Sequence, residues 1–290
     1  MKLIVDSGST KTTWCVVLPH MMSFTIQTVG VNPVRDDEEA MRAILNGARL
    51  SLENELILGH ASSLAHQRIF SHVFFYGAGC IPPYGDVVRK VLCEVFSEGE
   101  VMVESDLLGA ARALCRHEEG IACILGTGAN SCLYDGTEII RQTPALGWIL
   151  GDEGSGAVLG RRLVGDVLKR QLPEALCMDF LERFQLSQAD IIDRVYRQPL
   201  PNRFLASLVP FLAEHVEDAA IHDFLVDEFR RFLRRNVAAY QRPDLPVSFV
   251  GGVASQFCEQ LQEAVEAEGF CMGEVMRDPI DGMVRFHIQD

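Results

Sequence analysis

The chain has 290 residues, 48% of them hydrophobic and 23% charged, and its 26 Lys and Arg against 40 Asp and Glu give a formal charge of −14. That length suits about two domains with substantial cores, which excludes a disordered chain and makes a cleft between domains available as a working site. The acidic balance disfavours non-specific attraction to polyanions, so neither nucleic acid nor a membrane surface is expected as a partner.

At the N-terminus, residues 3–5 and 13–18 are β-rich, and the turn-prone Asp6-Ser7-Gly8-Ser9 between them predicts a β-hairpin. The apolar run before Asp6 is too short for the hydrophobic region of a signal peptide, and no later run approaches membrane-spanning length, so a cytoplasmic location is expected. With a strand expected at the start, no N-terminal helix-turn-helix is expected. A helix is predicted around residues 38–52. Strands at 72–76 and 101–104 then alternate with helices at 84–96 and 107–117, which is α/β patterning.

Residues 122–134 repeat the opening design of apolar strand, Gly-containing turn and second strand, and a shift of 120 residues places Gly8 on Gly128. Two such hairpins, each followed by α/β elements, suggest two related lobes. Residues 156–240 read as mostly helical; in the amphipathic stretch 219–233, Phe224, Leu225, Phe229, Phe232 and Leu233 are expected in a core. Residues 247–257 read as a buried strand, a double-Gly turn and a new helix. The lobe boundary is placed near residue 106, giving lobes 1–106 and 107–290. The nine cysteines form no C-x-x-C pair, and buried small hydrophobes are expected rather than disulfides or metal ligands.

Gly8-Ser9-Thr10-Lys11-Thr12 looks like the tail of a Walker A loop, but that motif requires Gly before the Lys and a helix after it. Here Thr10 precedes Lys11, and the β-branched Thr12 and Thr13 lead into a strand. A hairpin turn can hold phosphate in another way: Gly8 lets backbone come close, while N–H groups, hydroxyls and the Lys11 charge converge on the anion. An ordinary solvent-facing turn is the plain alternative. The turn at Gly126-Thr127-Gly128 offers a second phosphate grip, and Gly251-Gly252-Val253-Ala254 would let a flat ring lie against backbone.

The segments DSGSTKT, VGVNP, ESDLLGAARAL, ILGTGANS, LGWILGDEGSG and FVGGVAS together resemble the actin-like sugar-kinase and Hsp70 superfamily. Within it they are similar to N-acetylglucosamine kinases and the BadF/BadG/BcrA/BcrD-type ATPases. The resemblance implies an α/β fold of two actin-like (ribonuclease H-like) lobes, with a nucleotide and sugar cleft between them and a helical insertion at about 156–240. It further implies an ATP-dependent kinase acting on a hydroxyl of N-acetylglucosamine or a related amino sugar.

By the same resemblance, Asp106 is the base that takes the sugar hydroxyl's proton; its local alternative is a helix N-cap. Asn32, Gly147, Trp148 and Asp152 match sugar-holding positions, though Asn32 could equally be a turn residue and Trp148 a core residue. Gly8, Ser9, Thr10, Lys11 and Thr12 match the first phosphate segment, Gly126, Thr127 and Gly128 the second, and Gly251, Gly252 and Ala254 the adenosine segment. Asp6 matches the carboxylate that holds Mg²⁺, and Glu153 is a candidate for a supporting role.

Two other readings share the fold. One is an iron–sulfur ATPase that activates a CoA-dependent dehydratase or reductase, which needs cluster-ligating cysteines that do not stand out here. The other is a non-catalytic sugar- or nucleotide-binding regulator. The helical stretch between Leu163 and Tyr240 could carry a homodimer interface, or could simply supply cores.

Overall fold

The computed structural model describes residues 1–8, 10–18, 23–58 and 70–288. Ser9, expected in the first phosphate turn, lies outside them. The described chain divides into two compact units, residues 1–116 with 279–290, and residues 117–278.

The first unit opens with β1 (Lys2–Ser7), β2 (Lys11–Val17) and β3 (Ser23–Val29), and continues with α1 (Glu38–Leu58), β4 (His72–Gly77), α2 (Tyr84–Val95), β5 (Glu100–Ser105) and α3 (Asp106–Cys115). Its sheet runs β3-β2-β1-β4-β5, antiparallel through the first three strands and parallel across β1, β4 and β5. The central β1 buries Leu3, Ile4 and Val5 completely, as a strand covered on both faces must. The core beneath it is aromatic: Trp14 meets Phe75 edge-on at 6.3 Å and Phe96 at 6.2 Å.

In the second unit, β6 (Glu119–Leu125), β7 (Ala129–Asp135) and β8 (Ile139–Gln142) are followed by a helical series. This comprises α4 (Gly147–Leu150), α5 (Gly156–Leu168), α6 (Glu174–Phe184), α7 (Gln188–Tyr196), α8 (Pro201–Ala206), α9 (Pro210–Glu214) and α10 (Ala219–Phe232). α10 runs on into a π-helical turn at Leu233–Val237, and then β9 (Pro246–Val250), α11 (Gly252–Gln256), α12 (Cys258–Ala267) and β10 (Cys271–Met276) complete the unit. The sheet order β10-β9-β6-β7-β8 repeats that of the first unit, with β6 and β7 antiparallel and β6 and β9 parallel. These are two actin-like α/β lobes, as expected. Phe224, Leu225, Phe229, Phe232 and Leu233 all enter the core of the second unit.

The boundary falls after Arg116 rather than at residue 106, and the last helix, α13 (Ile280–Ile288), joins the first unit. The reason is close packing of α13 on α3. A Cβ on Gly282 would come within 2.6 Å of the Ala113 carbonyl oxygen, so this crossing requires glycine, and Gly109 lets the Met283 side chain lie against α3. Tyr76 and His287 add a buried hydrogen bond of 2.8 Å, and Arg112 donates to the Tyr76 hydroxyl at 2.8 Å.

β3, β8 and β10 have no counterpart in the sequence reading. Cys15, Cys80, Cys123, Cys132 and Cys177 are buried, and all nine cysteines are free thiols. Among the described residues, no helix is long and apolar enough to cross a membrane.

Candidate active site

In the first unit the site is set by strand register. Ser7, Gly77 and Ser105 lie side by side across β1, β4 and β5, so the residues around and just beyond them emerge together at the carboxyl ends of parallel strands. That edge is where open α/β sheets place ligands. It brings together Asp6, the Gly8 turn, Gly79 and Asp106.

Asp106 is not the helix cap. Ser105 is, its hydroxyl accepting the Leu108 N–H at 3.2 Å, and Asp106 occupies the first helical position with Oδ1 accepting from the Leu107 N–H at 2.9 Å. With the capping task taken by its neighbour, the Asp106 carboxyl stands at the strand end. Burial pushes its pKa up to about 6, against the lowering effect of backbone N–H groups. A carboxylate with that affinity is suited to taking a proton near neutral pH.

Asn32 acts as a turn residue and also sits at this edge. Its Oδ1 accepts from the Val34 N–H at 3.0 Å, and its own N–H donates to Asp36 Oδ2 at 2.9 Å. Gly79, with φ +79°, passes so close that an added Cβ would be 3.0 Å from Asn32 Oδ1. Sequence reasoning missed Gly79, although the Gly77-Ala78-Gly79 run after a strand was a signal for it.

The first turn follows the hairpin reading: the Gly8 N–H donates to the Lys11 carbonyl at 3.0 Å and β2 begins at Lys11. Thr10 and Lys11 are exposed. Thr12 is a correction, because its side chain is fully buried and its hydroxyl is 2.7 Å from Ser7 Oγ, with the Val31 N–H donating to both hydroxyl oxygens. It secures the segment leading to Asn32 instead of facing phosphate.

Asp6 is a part-buried oxygen donor at the end of β1. Among the described residues, no cluster of three or more His, Cys, Asp or Glu forms a metal site. One carboxylate suits Mg²⁺, which keeps several waters and takes remaining ligands from phosphates.

In the second unit, three separated segments converge. The parallel pairing of β6 with β9 sets Ile124 beside Val250, so the turns that follow each strand are neighbours. At Gly251, with φ +130°, a Cβ would lie 2.2 Å from the Leu125 carbonyl oxygen, so the glycine is needed for this contact between turns. No atom lies within 4 Å of a Cβ on Gly252, which is open. Ala254 buries its side chain in the core, so that it has only backbone to offer a ligand.

The Gly126–Gly128 turn is tied to the start of α5, whose Gly156 and Ala157 N–H groups donate to the Gly126 and Thr127 carbonyls at 2.8 and 3.1 Å. Asp152 lies against the same turn, its Oδ2 being 3.1 Å from where a Gly128 Cβ would sit. Burial raises the Asp152 pKa and the Glu153 charge adds to this, while the Ala129 and Gly147 N–H groups counter it. A cavity of about 330 Å³ opens beside Asp152, with Asn130, Thr143, Leu146, Glu153 and Arg235 among its walls. Trp148 is not one of them. It packs half-buried against the core, with its carbonyl accepting from Arg161 at 2.6 Å.

No family model matches the chain. A Porphyromonas gingivalis protein of known structure, provisionally named an N-acetylglucosamine kinase, is 44% identical and superposes with a TM-score of 0.91, covering 100% of this chain and 99% of its own. A second protein so named, from Chromobacterium violaceum, shares the fold at 16% identity with a TM-score of 0.62, over 99% of both chains. A curated N-acetylmuramic acid/N-acetylglucosamine kinase from Clostridium acetobutylicum is 32% identical over 131 residues. That match spans 42% of this chain and only 42% of the curated relative's length. Identity of 44% sustained over the full length, on two lobes of repeated sheet order, shows that the chain belongs to the N-acetylglucosamine kinase-like family.

Proposed function

We propose that the chain is an ATP-dependent kinase that phosphorylates a hydroxyl of N-acetylglucosamine or a closely related amino sugar. The observation that carries this reading is Asp106, a carboxyl at a strand end, released from capping by Ser105 and pushed by burial to about 6. In the reaction its carboxylate accepts the sugar hydroxyl's proton as the new O–P bond forms. The bond from the γ-phosphorus to the bridging oxygen breaks, and ADP leaves.

The exposed Thr10 and Lys11 and the Gly8 turn would bind phosphate, as would the Gly126–Gly128 turn, and Gly251 and Gly252 would lie against the adenosine. Asp6 would hold Mg²⁺ through water, the cation offsetting phosphate charge. Asp152 would read sugar hydroxyls or the N-acyl group, as would Asn32, and the amino-sugar kinases that the chain resembles support an amino sugar as acceptor. They favour this reading over the dehydratase activator and the silent regulator. A cytoplasmic location follows from the need for ATP. A homodimer is compatible with the exposed Leu146, Ile149 and Leu150 on and beside α4.

The test is a coupled ADP-release screen across hexoses and amino sugars, with and without Mg²⁺. Turnover with N-acetylglucosamine that needs Mg²⁺ is the expected result, and absence of turnover with every amino sugar would remove the kinase reading.

A further inference from the structure

The loop that carries Asp152 follows a left-handed path: Asp152 has φ +56° and Gly154 φ +75°, a region that glycine enters freely and Asp at a modest cost. The holding groups come from α10 and the π-turn that extends it. Glu228 is fully buried, accepts the Gly154 N–H at 3.2 Å and is ion-paired with Arg162. About two turns further along, Arg235 is ion-paired with Glu153, and Asn236 Nδ2 reaches the same carboxylate at 3.5 Å, the outer limit of a hydrogen bond.

The π-turn and the residues just after it also grip a second segment of the cavity wall, at Thr143. The Leu233 carbonyl is taken by the Ala238 N–H five residues on, the mark of the wider turn. The Asn236 carbonyl accepts from the Thr143 hydroxyl at 2.9 Å, and the Tyr240 hydroxyl accepts from the Thr143 N–H at 3.0 Å. One helix end is therefore bonded to both loops that frame the cavity beside Asp152.

We propose that the end of α10 and its π-turn form the positioning element of the sugar subsite. Glu228, Arg235 and Asn236 hold Asp152–Gly154 in its left-handed path so that the Asp152 carboxylate faces the cavity. Glu228 acts only through the loop, whereas Arg235 and Asn236 hold the loop and also border the cavity, and together they set sugar affinity and selectivity. The inference rests on Asp152 as a sugar-binding residue.

Arg235 is the better site for a test, because its side chain is 59% exposed while the Glu153 side chain it holds is 11% exposed, so it can be truncated without opening the core. Arg235→Ala should raise the KM for the amino sugar about tenfold, with kcat within roughly threefold and the KM for ATP unmoved, since a loss confined to substrate binding shows in that pattern. Arg235→Lys should recover part of the loss. Amide exchange at residues 151–154 should quicken about tenfold in Arg235→Ala while β1 and β4 stay protected. Glu228→Gln, which keeps an acceptor for the Gly154 N–H, should disturb that exchange less than Glu228→Ala.

Unchanged exchange at 151–154, or sugar and ATP KM values that rise together, overturns the proposal. If the wild-type protein phosphorylates no amino sugar, the functional reading falls, and the exchange experiment alone decides whether the π-turn positions the loop.

Discussion

The two units share one sheet plan and fill one position in it differently. Between the third and fourth strands, among the described residues, the first unit has the one helix α1, whereas the second has the whole series from α4 to α10 and the π-turn. The first unit accordingly builds its candidate site from strand ends and short turns, with Asp106 pushed up by burial. In the second, Asp152 is raised by burial and by Glu153, on a loop held by side chains from the inserted helices. The sheet decides where site residues emerge, and what is inserted after its third strand decides how rigidly a loop there is held.

The sharpest break of this comparison is Asp106→Asn. Removing a general base should lower kcat by about 10²- to 10⁴-fold while nucleotide binding, measured by calorimetry, is retained. Full turnover in that variant would leave the first unit without its catalytic role. In the wild type, kcat/KM should fall about tenfold per pH unit below about 6, because the base must be ionised.

A second pair of variants tests why the turns of the second unit meet. Gly251→Ala, with its Cβ driven into the Leu125 carbonyl oxygen, should cost roughly 2–4 kcal/mol in urea unfolding, whereas Gly252→Ala should stay within about 1 kcal/mol. Equal losses would mean that the Gly251 contact does not govern the turn.

Stability gives a smaller effect with a definite sign. A carboxyl raised from 3.8 to about 6 holds its proton more readily when folded, so the fold loses stability as pH rises between those values. Asp106→Asn should therefore be more stable than wild type at pH 7.5 by roughly 1–3 kcal/mol, and the gain should vanish below pH 3.8. An inactive variant that is also stabilised would show that this position is tuned for chemistry at the expense of the fold.

The smallest effects separate two neighbours in the first turn. Thr12→Val should cost about 1 kcal/mol of stability through the lost buried hydroxyl contacts, with the KM for ATP unchanged. Lys11→Ala should leave stability alone and raise the KM for ATP several-fold. The reverse pattern would restore Thr12 as a phosphate contact.

Much of this was legible in the sequence. The β-branched run after Gly8 ruled out a P-loop helix, and the echo at Gly128 anticipated the repeated hairpin. The missed strands share a cause. β3 alternates exposed and half-buried residues, β8 is four residues long with none buried, and β10 has no fully buried position, so none carries the apolar run that marks β1 or β9. Motif position also could not tell which way a side chain points. Thr12 and Ala254 sit inside segments expected to bind nucleotide yet turn their side chains to the interior, and Trp148 sits between two sugar-site matches yet packs on the core.

Local residue order by itself determined the hairpins, the glycine turns and the strand-to-helix passage at Asp106, because these depend on backbone freedom and side-chain shape within a few residues. Tertiary structure alone decided that α13 returns to the first unit, that Gly251 must meet Leu125, and that Arg235 reaches Glu153. Those contacts join residues far apart in the chain, and only packing of the folded elements brings them within bonding distance.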